Sequence, residues 1–350
     1  MRLNSPQINL ITRACMKASK SLIRDFGEIE NLQVSSKGPG DFVTSADKRT
    51  EKILIDELLK AHPDYGIITE EAGFINKSNI KNRWIIDPID GTMNFLNGVP
   101  QFAISVGYEE NNEIKCGVIL NPITNEMFCA EKGNGAYLNN SRIRVSNKKN
   151  IKDSLIVTGG PNGSSKIKDK IFSEYINVSK SVSNIRKLGS AALDVAYVAC
   201  GRFDGYWQRE LNYWDIAAGI IILKEAGGFV EFFDEDKNLP LVKNILATNA
   251  NIHDGVKIGQ GAVIGSDVTI SSADTWEFKT ITFSGDTGGA FNNDNGWSAN
   301  LEFMLNAGTN FTSGNTLTSY ASHSNTNGTR AGGTTLALGA NTGETIQFTG

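Results

Sequence analysis

Residues 84–95 read WIIDPIDGTMNF, and the reading of this stretch decides the architecture. Trp84 to Asp87 form an apolar strand that ends in an acid, and Pro88, which has no backbone donor, is expected to break it. The bend lets Asp87 and Asp90 converge and leaves the Ile89 carbonyl free to coordinate. Gly91 and Thr92 then open a short helix whose free N–H groups suit a phosphate. Two acids around a proline, ahead of a Gly-Thr helix start, rarely serve packing.

Upstream, residues 44–61 (TSADKRTEKILIDELLKA) predict a helix that ends at Pro63. Thr44 stands three residues before Asp47, as in a capping box, and Ile53, Ile55, Leu58 and Leu59 are expected as its buried stripe. A short strand over 66–69 and an acidic turn at Glu70 and Glu71 follow. Ahead of all this, Ile8, Ile11, Ala14, Cys15, Ala18 and Leu22 recur at helical spacing with no continuous apolar core, which makes an amphipathic helix and not a signal peptide.

Downstream, 102–108, 114–120 and 126–130 read as antiparallel strands divided by turn-forming pairs, and GNGAYLNN (133–140) as a hairpin. A strand from Ser154 leads into a helical stretch, residues 190–199 form a small-residue helix, and a last helix over 215–226 stops at Gly227 and Gly228. Strands and helices in this order predict a layered α/β or α+β domain.

Six carboxylates fall at element ends: Asp47, Glu70, Glu71, Asp87, Asp90 and Asp215. Hard cations such as Mg2+ take oxygen ligands, and two ions bridged by a shared carboxylate need about this many acids. Each acid also has a plainer reading. Asp47 suits a first helical turn by charge alone, Asp215 could answer Asn212 in a capping box, and Glu70 and Glu71 could be a solvated turn.

Four segments, DFVTSAD (41–47), IITEEAG (67–73), WIIDPIDGTMNF (84–95) and NYWDIAAG (212–219), resemble in order and spacing the signature segments of the inositol monophosphatase family. The resemblance covers residues 1 to about 252. It implies an α-β-α-β-α sandwich, usually homodimeric, and the Thr-Met-Asn-Phe of residues 92–95 is similar to the inositol phosphatase branch, not the 3′-phosphoadenosine phosphatases. It further implies that Glu70, Asp87 and the Ile89 carbonyl bind one Mg2+, that Asp87, Asp90 and Asp215 bind a second, and that a weaker third leans on Glu70. Asp47 would orient Thr92, which with Glu70 would position the attacking water. Gly91 and Thr92, with Asp90 and Asp215 beside them, would meet the phosphate, and Gly189, Ser190 and Ala191 the alcohol. Where the family commonly has a sugar-binding glutamate, seven residues before Asp215, this chain has Gln208.

The net charge of the 350-residue chain is −4, with no basic stripe, so nucleic acid is not an expected partner. No apolar run could cross a bilayer, and Cys15, Cys116, Cys129 and Cys200 show no metal-binding or paired spacing, as in a reduced cytoplasmic protein. His62, His253 and His323 are scattered and form no catalytic arrangement. Residues 1–250 hold 31 Lys and Arg against 30 Asp and Glu, whereas 251–350 hold 3 against 8 and are rich in Gly, Ser, Thr and Asn. Two domains are therefore expected, 1–252 and a β-rich 253–350. In the second, Ile258, Ile264 and Ile270 recur at six-residue spacing, which suits either β-helix turns or a hairpin pair.

The expected function is Mg2+-dependent hydrolysis of a small phosphate monoester, inositol 1-phosphate first. Alternatives are a sugar phosphate, histidinol phosphate or 3′-phosphoadenosine phosphate, or an RNA-processing or transcription accessory protein of the same fold.

Overall fold

The computed structural model describes residues 5–28, 34–38, 41–76, 81–161, 165–233, 243–249 and 251–252. The chain divides into two units, and all these residues belong to the first, Met1–Ile258 with Ile264–Ser266. The β-rich reading of 253–350 and its six-residue spacing lie outside the described residues.

The chain opens with helix α1 (Pro6–Gly27), capped by the Ser5 hydroxyl. A ribbon of β1 (Val34–Gly38) and β2 (Asp41–Thr44) leads into α2 (Ser45–Ala61). Strands β3 (Gly66–Thr69), β4 (Gly73–Ile75) and β5 (Asn82–Asp90) precede the short α3 (Thr92–Leu96). A meander follows of β6 (Ala103–Glu110), β7 (Glu113–Asn121), β8 (Glu126–Glu131), β9 (Gly135–Leu138) and β10 (Ser141–Arg142). The last part runs β11 (Leu155–Thr158), α4 (Lys168–Ser181), β12 (Asn184–Arg186), α5 (Ala191–Ala199), β13 (Gly205–Gln208), α6 (Tyr213–Glu225), β14 (Phe229–Phe232) and β15 (Ile245–Thr248).

An eight-stranded sheet has the order β10-β9-β8-β7-β6-β5-β3-β4, and a five-stranded sheet the order β12-β11-β13-β15-β14. Alternation along the strands sorts side chains into layers. Trp84 and Ile86 of β5 and Ile104 and Val106 of β6 pack with Ile8, Ile11, Leu54 and Leu58 from α1 and α2. Ile85 and Ala103, on the other face, pack with α5 and α6, which also meet Val157, Tyr206 and Ala247 of the second sheet. The outer face of that sheet, through Ile156, Trp207 and Leu246, meets Val178 of α4. The layers thus run helix, sheet, helix, sheet, helix, as the resemblance implies.

α5 and α6 are buried almost throughout because they lie between two sheets, which is why their sequences are small and apolar. A Cβ at Gly117 of β7 would stand 2.8 Å from the Ala218 Cα, so glycine lets α6 lie close to the sheet.

Two local expectations need correction. The strand of residue 84 continues through Pro88 to Asp90. On α2 the fully buried apolar positions are Ala46, Leu54 and Leu58, while Ile53, Ile55 and Leu59 are half-buried. The face turned inward is the one that carries Asp47 and Glu51, so polar contacts set the helix rotation as much as the apolar stripe does.

Among the described residues no helix is long and apolar enough to cross a membrane. The four cysteines are free thiols. His62 stacks on Tyr65, with ring centroids 4.3 Å apart.

Candidate active site

The β5 strand survives Pro88 because the chain bulges there. Asp87 pairs with Ser105 of β6 and Asp90 with Ala103, so β5 carries one more residue than its partner over this step. The extra residue has a consequence for side-chain direction. In a regular strand, positions three apart face opposite sides; with the bulge, Asp87 and Asp90 both face α5 and α6. The bulge is held from within, since Asp87 Oδ1 accepts the Ile89 amide at 3.0 Å.

Gly91 follows, with φ of +99°, as the residue before α3. A Cβ there would meet the Gln101 carbonyl oxygen at 3.0 Å and the Gly189 carbonyl oxygen at 3.2 Å, so both conformation and space require glycine. Asn94 of α3 ties these neighbours together, donating to the carbonyls of Gln101 at 2.7 Å and Leu188 at 2.8 Å.

Thr44 and Asp47 form the expected capping box: Asp47 Oδ2 accepts from the Thr44 amide at 2.7 Å and its hydroxyl at 2.6 Å. Its other oxygen, Oδ1, lies 3.4 Å from the Thr92 hydroxyl, which is also 3.1 Å from the Ile89 carbonyl. With one proton and two acceptors, that hydroxyl presents its lone pairs elsewhere. Asp47 therefore caps α2 and at the same time stands beside Thr92. Burial pushes its carboxyl up to about 6, with Glu71 adding to the rise and the Thr44 hydrogen bonds opposing it.

Asp90 is embraced by the start of α5. It accepts from the Ser190 hydroxyl and from the amides of Ala191 at 3.3 Å and Ala192 at 2.7 Å. Burial still raises it to about 6. Asp215, in the first turn of α6, accepts the Asn212 amide at 2.8 Å, so its capping role is real. Burial raises Asp87 well above the carboxylate range, with Glu70, Asp90, Asp215 and Asp47 all contributing. Burial and then Asp90 raise Asp215 likewise.

Of the six sequence-predicted acids, Glu70, Asp90, Asp215 and Asp47 thus lie within electrostatic reach of Asp87, and Glu71 within reach of Asp47. Among the described residues no ion pair involves Asp47, Asp87, Asp90 or Asp215. Buried acids without a countercharge favour their protonated forms, in line with the raised carboxyls of Asp87 and Asp215. Among the described residues no three of these side chains stand as a closed ligand set. The donor set consists of hard oxygens, and a divalent cation would satisfy its charge, so the residues fit Mg2+.

On the far side, Gln208 ends β13 with Oε1 accepting the Tyr206 hydroxyl at 2.8 Å. Burial raises the Tyr206 phenol, and the charges of Asp194, Asp90 and Asp215 add to the rise. Its side chain lies across Gly159, where a Cβ would meet Oε1 at 1.9 Å, and Lys187 lies across Gly160 in the same way.

Sequence reasoning missed Glu51, whose carboxylate holds the acidic turn, and Asp194, a buried acid on α5 with neither oxygen hydrogen-bonded among the described residues. Glu51 had a signal, since it stands one helical turn after Asp47. Asp194 had the same signal relative to Ser190.

The description that matches residues 4–260 is "Inositol monophosphatase family". An inositol-1-monophosphatase of Mesorhizobium japonicum is 46% identical over 245 residues, 70% of this chain and 92% of the relative. The Nus factor SuhB of Haemophilus influenzae is 38% identical over 248 residues, 71% of this chain and 93% of the relative. Among solved structures, the extragenic suppressor protein suhB of Bartonella henselae shares 47% identity at a TM-score of 0.68, covering 71% of this chain and 95% of that one.

Proposed function

The chain belongs to the inositol monophosphatase family, a family of phosphatases, and on that premise we propose that it hydrolyses a small phosphate monoester, inositol 1-phosphate before others, with Mg2+. The observation that carries the reading is the burial of Asp87, Asp90 and Asp215 beside one another and beside Glu70, with no ion pair to any of the three aspartates among the described residues.

In this reading Glu70, Asp87 and the Ile89 carbonyl hold one Mg2+, Asp87, Asp90 and Asp215 a second, and Glu70 supports a third, weaker ion. When bound, Mg2+ supplies an acidified water and stabilises the charge that develops on the leaving alkoxide. Asp47 and the Ile89 carbonyl engage the Thr92 proton, which leaves Thr92 Oγ1 to accept a hydrogen bond from the incoming water. Glu70 accepts its other proton, and the two acceptors aim the oxygen at phosphorus opposite the leaving group. The backbone at Gly91 and Thr92 holds phosphate oxygens, while Gly189, Ser190, Ala191 and Gln208 face the alcohol. No covalent intermediate is required.

We further propose that residues 1–252 carry this activity as one domain and 253–350 form another, and that the working form is a cytoplasmic homodimer. A second reading, a transcription accessory role, draws support from the relative named as a Nus factor. A phosphate-release assay over inositol 1-phosphate, sugar phosphates, histidinol phosphate and 3′-phosphoadenosine phosphate, with Mg2+ and in chelator, tests the proposal. Release should require Mg2+ and be lost in Asp90→Asn and Asp215→Asn while both variants stay folded. Equal turnover in chelator would overturn it.

A further inference from the structure

Asp47 and Glu51 stand four residues apart on α2, one turn of helix, and both are buried. Asp47 meets Thr92. Glu51 meets the turn between β3 and β4, and its contacts there are complete. Oε2 accepts the Thr69 hydroxyl at 2.6 Å and the Glu71 amide at 2.9 Å; Oε1 accepts the Ala72 amide at 3.0 Å.

These partners bracket Glu70. The Glu71 N–H belongs to the peptide that follows Glu70, and the Thr69 side chain to the residue before it, so one carboxylate oxygen fixes the chain on both sides of that residue. Strand β3 is itself in register with β5, with Thr69 opposite Ile86, the neighbour of Asp87. Glu70 lies close enough to raise the carboxyls of Asp87 and Asp215. Repulsion among these acids favours a turn that swings away from the cluster, and a tether acting alongside the β3–β4 pairing at Thr69 and Gly73 opposes it. Glu51 is that tether, since charge-assisted hydrogen bonds to a buried carboxylate are the strong ones.

We propose that Glu51 is a positioning residue that fixes the Thr69–Ala72 turn and thereby holds the Glu70 carboxylate against Asp87 and Asp215. Helix α2 is then a bracket for two groups at once, Thr92 through Asp47 and Glu70 through Glu51. The inference rests on the reading above in which Glu70 serves a bound Mg2+.

The test compares the full-length protein with Glu51→Gln and with Thr69→Val. An amide in place of Glu51 keeps one accepting oxygen and turns a donor toward a backbone N–H. Three quantities are read: amide exchange of the peptide spanning 69–76 in chelator, binding of Mg2+ alone by calorimetry, and the Mg2+ dependence of phosphate release. In Glu51→Gln, exchange should quicken and Mg2+ binding weaken by about tenfold each, with the Mg2+ needed for half-maximal release rising in step and KM at saturating Mg2+ within about twofold. Thr69→Val, which removes one donor and leaves Glu51 in place, should move all three in the same direction by less, and it carries the test if Glu51→Gln does not fold. Unchanged Mg2+ affinity beside faster local exchange would reduce Glu51 to a fold-holding role and overturn the proposal, as would faster exchange throughout α2 and β5. Failure of the underlying functional reading looks different: the unsubstituted protein would itself neither bind Mg2+ nor release phosphate.

Discussion

Ser190 donates its hydroxyl to Asp90 from 100 positions away in sequence, and the same oxygen accepts the Leu193 amide at 3.4 Å to cap α5. One hydroxyl therefore joins the bulged strand to the helix that faces the second sheet. Ser190→Ala removes a helix cap and one of three donors to Asp90, and together these losses are about 1–3 kcal/mol of stability. The melting temperature should fall by several degrees. The Mg2+ requirement should rise while turnover at saturating Mg2+ changes little, because the Ala191 and Ala192 amides still hold Asp90. Ser190→Thr, which keeps the hydroxyl, should behave as the unsubstituted protein in both measurements.

The raised carboxyl of Asp47 gives a pH dependence whose sign can be worked out. Its ordinary value of 3.8 rises to about 6 in the folded chain, so between these values the folded state binds more protons than the unfolded one. Stability from this group is full below about 4 and is lost as pH rises through 6, a change of about 2–3 kcal/mol. Asparagine mimics the protonated form. In Mg2+-free protein, the melting temperature of Asp47→Asn minus that of the unsubstituted chain should therefore increase from pH 4 to pH 7. A difference that stays flat or falls would show that Asp47 is not held near neutrality by burial.

All the site residues, and Ile252, which is buried with Ile156, Trp207 and Leu246, precede residue 253. The Mesorhizobium relative is matched over 92% of its length by 70% of this chain. A chain ending at Asp254 should keep its turnover per folded molecule, measured by phosphate release against a folded fraction from circular dichroism. A chain ending before Ile245 should not fold, because β15 pairs with both β13 and β14 in the second sheet.

What could be read ahead of the structure was local. The Thr44–Asp47 box, the helices over 44–61 and 190–199 and the strands around them follow from spacing and capping chemistry, which act within a few residues. The bulge at Pro88 was hidden because a proline signals a missing donor, and whether the chain breaks or bulges depends on β6, a partner that lies later in the sequence. The same holds for the acids. Sequence identified Asp87, Asp90 and Asp215 as candidates, but that Ser190 would answer Asp90 and Glu51 would hold the Glu70 turn depends on which faces of α5 and α2 turn inward. The spacing of Glu51 from Asp47 shows only that the two share a helix face; that the face is buried is decided by the turn Glu51 binds.

The departure at Gln208 leads to the last prediction, because Gln208 and Glu210 compete for one proposed role, the contact with substrate hydroxyls. The backbone around them is anchored at the residue between: Arg209 makes a bidentate pair with Glu174 of α4 and stacks over Phe233 at 4.4 Å. Both partners of this pair are largely buried, so sliding the strand by two residues to bring Glu210 into the place of Gln208 would leave a buried charge unpaired, at a cost of about 3–5 kcal/mol. Glu210 meanwhile is exposed, in a positive-φ conformation of +59°, with its amide bound to Asn244 Oδ1. Under the proposed reading the contact therefore falls to Gln208, and the Tyr206 hydroxyl that donates to its Oε1 leaves the amide nitrogen, a donor, as its other face. Polyol hydroxyls that donate to a carboxylate lose a charge-assisted partner here, a difference of about 1 kcal/mol or several-fold in affinity. Gln208→Glu should lower KM for inositol 1-phosphate several-fold with turnover within about twofold, while Glu210→Gln leaves both unchanged. Gly159→Ala, whose new methyl carbon would stand 1.9 Å from Oε1, should displace the amide and raise KM. If Glu210→Gln alone alters KM, the substrate contact lies with Glu210 and the anchor at Arg209 does not hold the strand in register.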